Sequence, residues 1–204
     1  MASSLRLPLS SPLAPPLDQR VVHHGRSWEQ FKWIQKGFDQ APGVRLFYYD
    51  GTVEVLMPGR EHERFSWIIG HLIGLFLAQK GVFFQPTGAM TQEKEREVSV
   101  QADQSFCLGS VKAIPDLSIE VVVTSGGVDK LARYQALGVP EVWFWQDGVL
   151  TVYRLRGQGY EVGDHSELAG LRDLDLTLLS RCVLMADTDT GAAIRQFQQA
   201  IALS

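Results

Sequence analysis

Cysteine is scarce in this 204-residue sequence: Cys107 and Cys182 are the only two, and they stand far apart. Such a pair supports neither a disulfide framework nor a zinc ligand set, and a reduced, cytoplasmic setting is expected. No apolar run approaches the roughly 20 residues that cross a bilayer, so no membrane segment is expected. Prolines interrupt the leucines and small residues of the opening stretch MASSLRLPLSSPLAPPLDQR, which breaks up any targeting-type hydrophobic core. Residues 1–25 are therefore read as a flexible tail and 26–204 as one domain. Internal repeats and heptad arrays are missing. So is any cluster of lysine and arginine, and the formal net charge is −4. Affinity that rests on phosphate neutralisation normally shows as a basic patch, so charge alone does not point to nucleic acid. An acidic total still leaves room for a metal-loaded cleft with local positive potential.

What is present is a mixed pattern of strands and helices. Ser27-Trp28-Glu29-Gln30 fits a capping box and starts a short helix through about Gly37. Its aromatics Trp28, Phe31 and Trp33 are expected to pack on the domain. Arg45 to Met57, RLFYYDGTVEVLM, carries two β-rich runs about Asp50-Gly51, a strong hairpin signal. Within the second run Glu54 alternates with Val53 and Val55, which reads as a solvent-facing strand position. A long helix follows from about Glu61 to Lys80, with Gly81 as its stop and one apolar face through Phe65, Ile68, Ile69, Leu72, Leu75 and Phe76. His62 and Glu63 lie in its first turn, where acidic residues suit the helix dipole. His71 reads as structural or solvent-facing. Gly81 to Gln85 reads as a short strand, and Glu93 to Glu97 as a solvated loop or exposed hairpin. Near the C-terminus, LTLLSRCV and TGAAIRQFQQAIAL read as two helices.

The organising stretch runs from Asp103 to Tyr134. Leu117 to Val123, LSIEVVV, is dense in β-branched residues and bounded by Pro115-Asp116 before and Thr124-Ser125-Gly126-Gly127 after, as a buried strand should be. Glu120 is its only charge. A buried carboxylate needs a partner, either a lysine or arginine or a divalent cation, since hard cations take carboxylate oxygens. Asp103 lies upstream in QADQSF. Downstream, Asp129 to Leu137 reads as a helix ended by Gly138, and its phasing sets Lys130, Arg133 and Tyr134 near one side. EVWFWQ, Asp147-Gly148 and VLTVYRLRG then form another hairpin. Its all-apolar first run is a strand covered on both faces, with Trp143 and Trp145 in the core. By a right-handed crossover it lies beside the Glu120 strand.

DGTVEVLMPGREHER, ADQSF, IPDLSIEVVVTSGG, Asp129-Lys130 and YQALGVPEVWFW together resemble the Uma-type, restriction-endonuclease-like family of the PD-(D/E)xK nuclease superfamily, over about residues 27 to 185. The resemblance implies an α/β (α+β) domain: a mixed central sheet with β-hairpins and flanking helices. It implies a metal-dependent endonuclease that hydrolyses phosphodiester bonds of DNA, with Mg²⁺ (or Mn²⁺ as substitute) held by Asp103 and Glu120. Ala102 stands where a proline is usual before that aspartate, and Val122 where lysine is expected two residues after the glutamate. Lys130, on the next helix, takes the lysine role. His62 matches a position where the family commonly has histidine, and Tyr134, four residues after Lys130, can face the same site, as can Glu63. Asp116, in the more obvious Pro-Asp dipeptide, is either a second ligand or a turn residue that starts the strand. The runner-up reading is a catalytically degenerate binding or assembly module on a nuclease fold, motivated by the displaced lysine and the acidic charge. A hydrolase of small phosphorylated molecules is the third. A homodimer is expected only because symmetric dimers are common.

Overall fold

The computed structural model describes residues 17–39, 41, 43–123 and 130–202. Its elements in chain order are β1 (Gln19–His23), α1 (Trp28–Gly37), β2 (Arg45–Tyr49), β3 (Thr52–Met57), α2 (Arg60–Gln79), β4 (Phe84–Pro86), β5 (Thr91–Lys94) and β6 (Val98–Gln101). There follow β7 (Gln104–Leu108), β8 (Leu117–Val122), α3 (Leu131–Leu137), β9 (Glu141–Gln146), β10 (Val149–Arg156), β11 (Gly159–Gly163), α4 (Leu176–Met185) and α5 (Thr190–Ile201). The fold is mixed α and β with a mixed sheet, β-hairpins and flanking helices, as expected, and the described strands form a second, antiparallel sheet beside it. One sheet is antiparallel in the order β1-β3-β2-β6-β5; the other runs β11-β10-β9-β8-β7-β4. The second is mixed because β8 and β9 are parallel, with Glu120 opposite Phe144. The crossover between them carries α3.

The layers follow from strand alternation. On β8, Ile119 and Val121 face α2, α4 and α5, where Trp143, Trp145, Phe76 and Phe197 complete the largest apolar cluster. Val122 faces the other way, into a second cluster built from Phe47, Val98 and Val100 of the first sheet, Phe144, and Tyr134 and Leu137 of α3. Glu120 shares the parity of Val122, so its strand position directs it between the sheets. A third cluster seats α1 on the outer face of the first sheet through Trp28, Phe31, Leu46, Tyr48 and Val53.

Local chemistry explains the boundaries. Ser27 caps α1 in a full capping box with Gln30, as the sequence spells. Of the aromatics expected to pack, Trp28 and Phe31 do, whereas Trp33 is 73% exposed on the far side of the helix. Asp50 and Gly51 both take positive φ, 44° and 67°, the conformation of the tight hairpin turn that the Asp-Gly pair favours. The α2 helix ends with Gly81 at φ 66° and Val82 N–H donating to Leu77 O, so the strand expected from Gly81 starts only at Phe84. The Glu93 to Glu97 segment is a hairpin: Lys94 pairs with Val98 across its turn. The stretch expected to be tail contains β1, which pairs with β3 from Gln19 opposite Met57 to His23 opposite Val53. Its alternation is too short and too polar to stand out from its neighbours. Asp129 and the Ser125-Gly126-Gly127 turn lie outside the described residues.

Candidate active site

The site forms where the two sheets meet. The chain leaves the first sheet at Gln101 and enters the second at Gln104, so Asp103 sits at the crossing. Its N–H donates to Ile119 O at 3.1 Å, and its Oδ2 accepts the Val121 N–H at 2.7 Å. The carboxylate thus takes the place of a strand carbonyl beside Glu120. Asp103 is 2% exposed and Glu120 1%. Lys130, at the N-terminus of α3, donates to Glu120 Oε2 at 2.5 Å, and one helical turn on, the Tyr134 hydroxyl donates to Oε1. The four-residue spacing between them is what lets one helix face grip both carboxylate oxygens. Burial alone would lower the Lys130 pKa; the charges of Glu120 and Asp103 override it and hold the ammonium protonated. For Tyr134, burial and then the Glu120 charge push the phenol well above its ordinary value, so it is a donor and never a phenolate here.

Asp103 Oδ1 faces cations. Arg45 Nε lies 3.0 Å away and His62 Nε2 2.8 Å away, yet neither nitrogen has a well-directed hydrogen bond; these are ion contacts at unfavourable angles. Arg45 also reaches Glu63, Nη1 to Oε1 at 2.9 Å, which leaves Glu63 at the rim. His62 sits in the first turn of α2, and its Nδ1 is 2.9 Å from Asp18 Oδ2. Desolvation would lower its pKa, but Asp103 and then Asp18 outweigh it and raise the imidazole to about 9. At neutral pH it is an imidazolium between two carboxylates. For Asp103, burial would raise the pKa, and His62 and Arg45 turn the balance downward.

Four participants escape sequence reading. Glu54, read as solvent-facing, is 1% exposed; it shares the face of Phe47, its partner on β2, which the second sheet and α3 cover. Arg20 grips it through Nε at 2.8 Å and Nη2 at 3.1 Å, and Arg133 donates to Oε2. Arg20, Arg45 and Asp18 are the other three, and only a tertiary contact could have revealed them. Conversely, Asp116 serves the turn reading: it accepts the Leu108 N–H at 2.7 Å and Lys112 Nζ at 2.7 Å. His71 stacks on Trp67 at 5.0 Å, away from these carboxylates in the contacts it makes. Cys107 and Cys182 are buried free thiols.

The chain from 28 to 182 matches the model of the Uma2 family, described as "Putative restriction endonuclease". The chain belongs to this family. A solved structure of similar fold is the "putative nuclease belonging to DUF820" from Anabaena variabilis, at 14% identity and a TM-score of 0.55, covering 77% of this chain and 98% of that one. No curated protein matches the sequence. Within the Uma2 span lie Arg45, Glu54, His62, Asp103, Glu120, Lys130 and Arg133, whereas Asp18 and Arg20 fall before its start. Among the described residues no helix is long and apolar enough to cross a membrane, and no group of three or more His, Cys, Asp or Glu side chains is arranged to hold a metal ion.

Proposed function

We propose that this Uma2-family chain is a divalent-metal-dependent endonuclease acting on DNA, with Asp103 and Glu120 as the cation-binding carboxylates. The observation that carries this reading is the pairing of two buried carboxylates across the sheet crossing, with Lys130 bonded to one of them. Two hard oxygen donors suit Mg²⁺, which binds through one or two carboxylates and keeps several waters. When bound, such a cation offsets phosphate charge and acidifies a water. Lys130 holds the other cationic role: fixed by Glu120, it is positioned to meet a phosphate oxygen and to orient an attacking water. His62, as an imidazolium, donates and cannot act as a base at neutral pH. Tyr134 fixes the Glu120 rotamer. Arg45 counters Asp103 and offsets negative charge that accumulates on a scissile phosphate.

Cleavage of supercoiled, linear and single-stranded DNA, with Mg²⁺, Mn²⁺ or chelator, tests this. The wild type is expected to cut only with metal. Glu120→Gln, which keeps one acceptor oxygen for Lys130 or Tyr134, is expected to lose cutting by about two orders of magnitude or more while its circular dichroism stays that of the folded wild type, with a lowered melting midpoint. Metal-independent cutting, or equal cutting by the variant, removes the assignment.

The saturation of both carboxylates by Lys130, Tyr134, Arg45 and His62 favours a second reading, a non-catalytic member in which these pairs are structural. Calorimetric titration separates the two: Mn²⁺ binding that disappears in Asp103→Asn supports the enzyme, and absence of binding in the wild type supports the structural network.

A further inference from the structure

The strand that completes the site comes from outside the Uma2 span. Residues 17–23 precede position 28, yet Asp18 bridges two groups at the start of α2: its Oδ1 accepts the Gly59 N–H at 2.7 Å and its Oδ2 meets His62 Nδ1 at 2.9 Å. Two residues on, Arg20 forks onto Glu54. Gly59 lets the segment lie this close; a Cβ there would stand 2.8 Å from the Leu17 carbonyl carbon. The described residues leave only a small void beneath: Asp18, Arg20, Glu54, His62 and Lys130, with the end of β8, enclose about 20 Å³, room for about one water. A phosphodiester does not fit.

The cover is also weakly held. Gln19, Arg20, Val21 and His23 are exposed, Val22 alone is half-buried, and β1 is an edge strand with β3 as its one neighbour. Little apolar surface is lost to water when it leaves, which is the mark of a segment that opens locally and not with the whole domain. Charge favours approach of a polyanion from this side. Lys130, and Arg133 bound to Glu54, lie under the strap. The larger cleft of about 550 Å³ beyond the end of β8 is ringed by Glu61, Asp147 and Asp187.

We propose that residues 17–23 are an autoinhibitory strap, which seals the candidate site in the state described here and lifts as a unit from β3 to admit a phosphodiester. The identity of the ligand rests on the nuclease reading; the lifting does not. Release of the strap withdraws Asp18 from His62 and Arg20 from Glu54 together, while Arg133 still neutralises Glu54. The uncovered face then presents Lys130 and His62 to the solvent side, and the apparent affinity for DNA is the intrinsic affinity scaled by the fraction of molecules with the strap open.

A reversible cross-link tests both parts in the full chain. Val21 and Val55 are register partners across β1 and β3, and facing Cα atoms of antiparallel strands lie within disulfide range. In the double variant Val21→Cys, Val55→Cys, hydrogen exchange is read first. With the thiols reduced, the β1 amides that bond to β3 are expected to exchange on the order of 100-fold faster than the ladder-bonded amides of β2, through local opening, and oxidation is expected to abolish the difference. β1 amides as slow as those of β2 in the reduced protein overturn the strap. Cleavage is read second: oxidation is expected to lower metal-dependent cutting by about tenfold or more, and reductant to restore it. Equal cutting in both states also overturns the strap, while leaving the nuclease assignment standing. If neither wild type nor reduced variant cuts DNA, the nuclease assignment fails, and the strap is judged on the exchange of β1 alone.

Discussion

Glu54 carries a charge between two sheets because Arg20 and Arg133 meet it there. Burial alone would raise its pKa; the hydrogen bond from Arg20 and the charge of Arg133 reverse that and hold it at about 2. A carboxylate with a depressed folded pKa stabilises fully above its ordinary value of 4.5, and that contribution is lost as pH falls toward about 2. His62 has the opposite sign: raised from 6.5 to about 9, it stabilises fully below the lower value and loses that contribution as pH rises through the upper one. Urea midpoints measured in chelator are therefore expected to form a plateau from about pH 4.5 to 6.5 that falls on both sides. Glu54→Gln flattens the acid limb and His62→Gln the alkaline one. Glu54→Ala, which strands Arg133 in the interior, is expected to cost about 3–5 kcal/mol at neutral pH, read as a loss in the same melts. Lys130 stands on the other side of the ledger of expectations: a first-turn lysine ordinarily points to water, and only Glu120 inside the sheet explains why this one is 8% exposed.

Among the elements, α1 and the two Asp-Gly hairpins were legible because their signals are local: a capping residue, a turn dipeptide, a polar helix face. The parallel partnership of β8 and β9 was legible from the strand–helix–strand order. The second sheet was not, since the alternation of Glu54 with Val53 and Val55 says which residues share a face and not whether that face is covered. β1 was hidden for a related reason, as an edge strand held by ion pairs shows almost no apolar periodicity. Two substitutions probe these elements. Ser27→Ala removes the side-chain half of the α1 capping box and is expected to lower stability by about 0.5–2 kcal/mol in thermal melts. Gly59→Ala leaves the backbone at an ordinary φ of −76°, but pushes a methyl group into the Leu17 backbone. Overpacking of this kind costs about 1–3 kcal/mol. Its effect is expected to fall on β1, with faster amide exchange at 19–23 and unchanged protection along α2.

For the whole molecule, the largest apolar cluster reaches beyond the family-matched span. Phe197 of α5 is fully buried against the cluster that contains α2, α4 and the β8 and β9 face of the second sheet. Phe197→Ala is expected to cost about 3–5 kcal/mol while the protein still unfolds in a single transition. An α5 that were an appendage would melt separately and leave the main transition untouched. The ion-paired cluster has a still wider span, drawing on Asp18 at one end and on Lys130 and Arg133 at the other. During synthesis, then, a ribosome delivers Asp103 and Glu120 before Lys130, Arg133 and Tyr134 of the α3 segment. A nascent chain that has emerged only as far as β8 holds Glu120 with neither Lys130 nor Tyr134 to receive it, and without β9 to flank its strand. Burying that strand at this stage would bury an unpaired carboxylate, a cost that is relieved only when α3 supplies its donors.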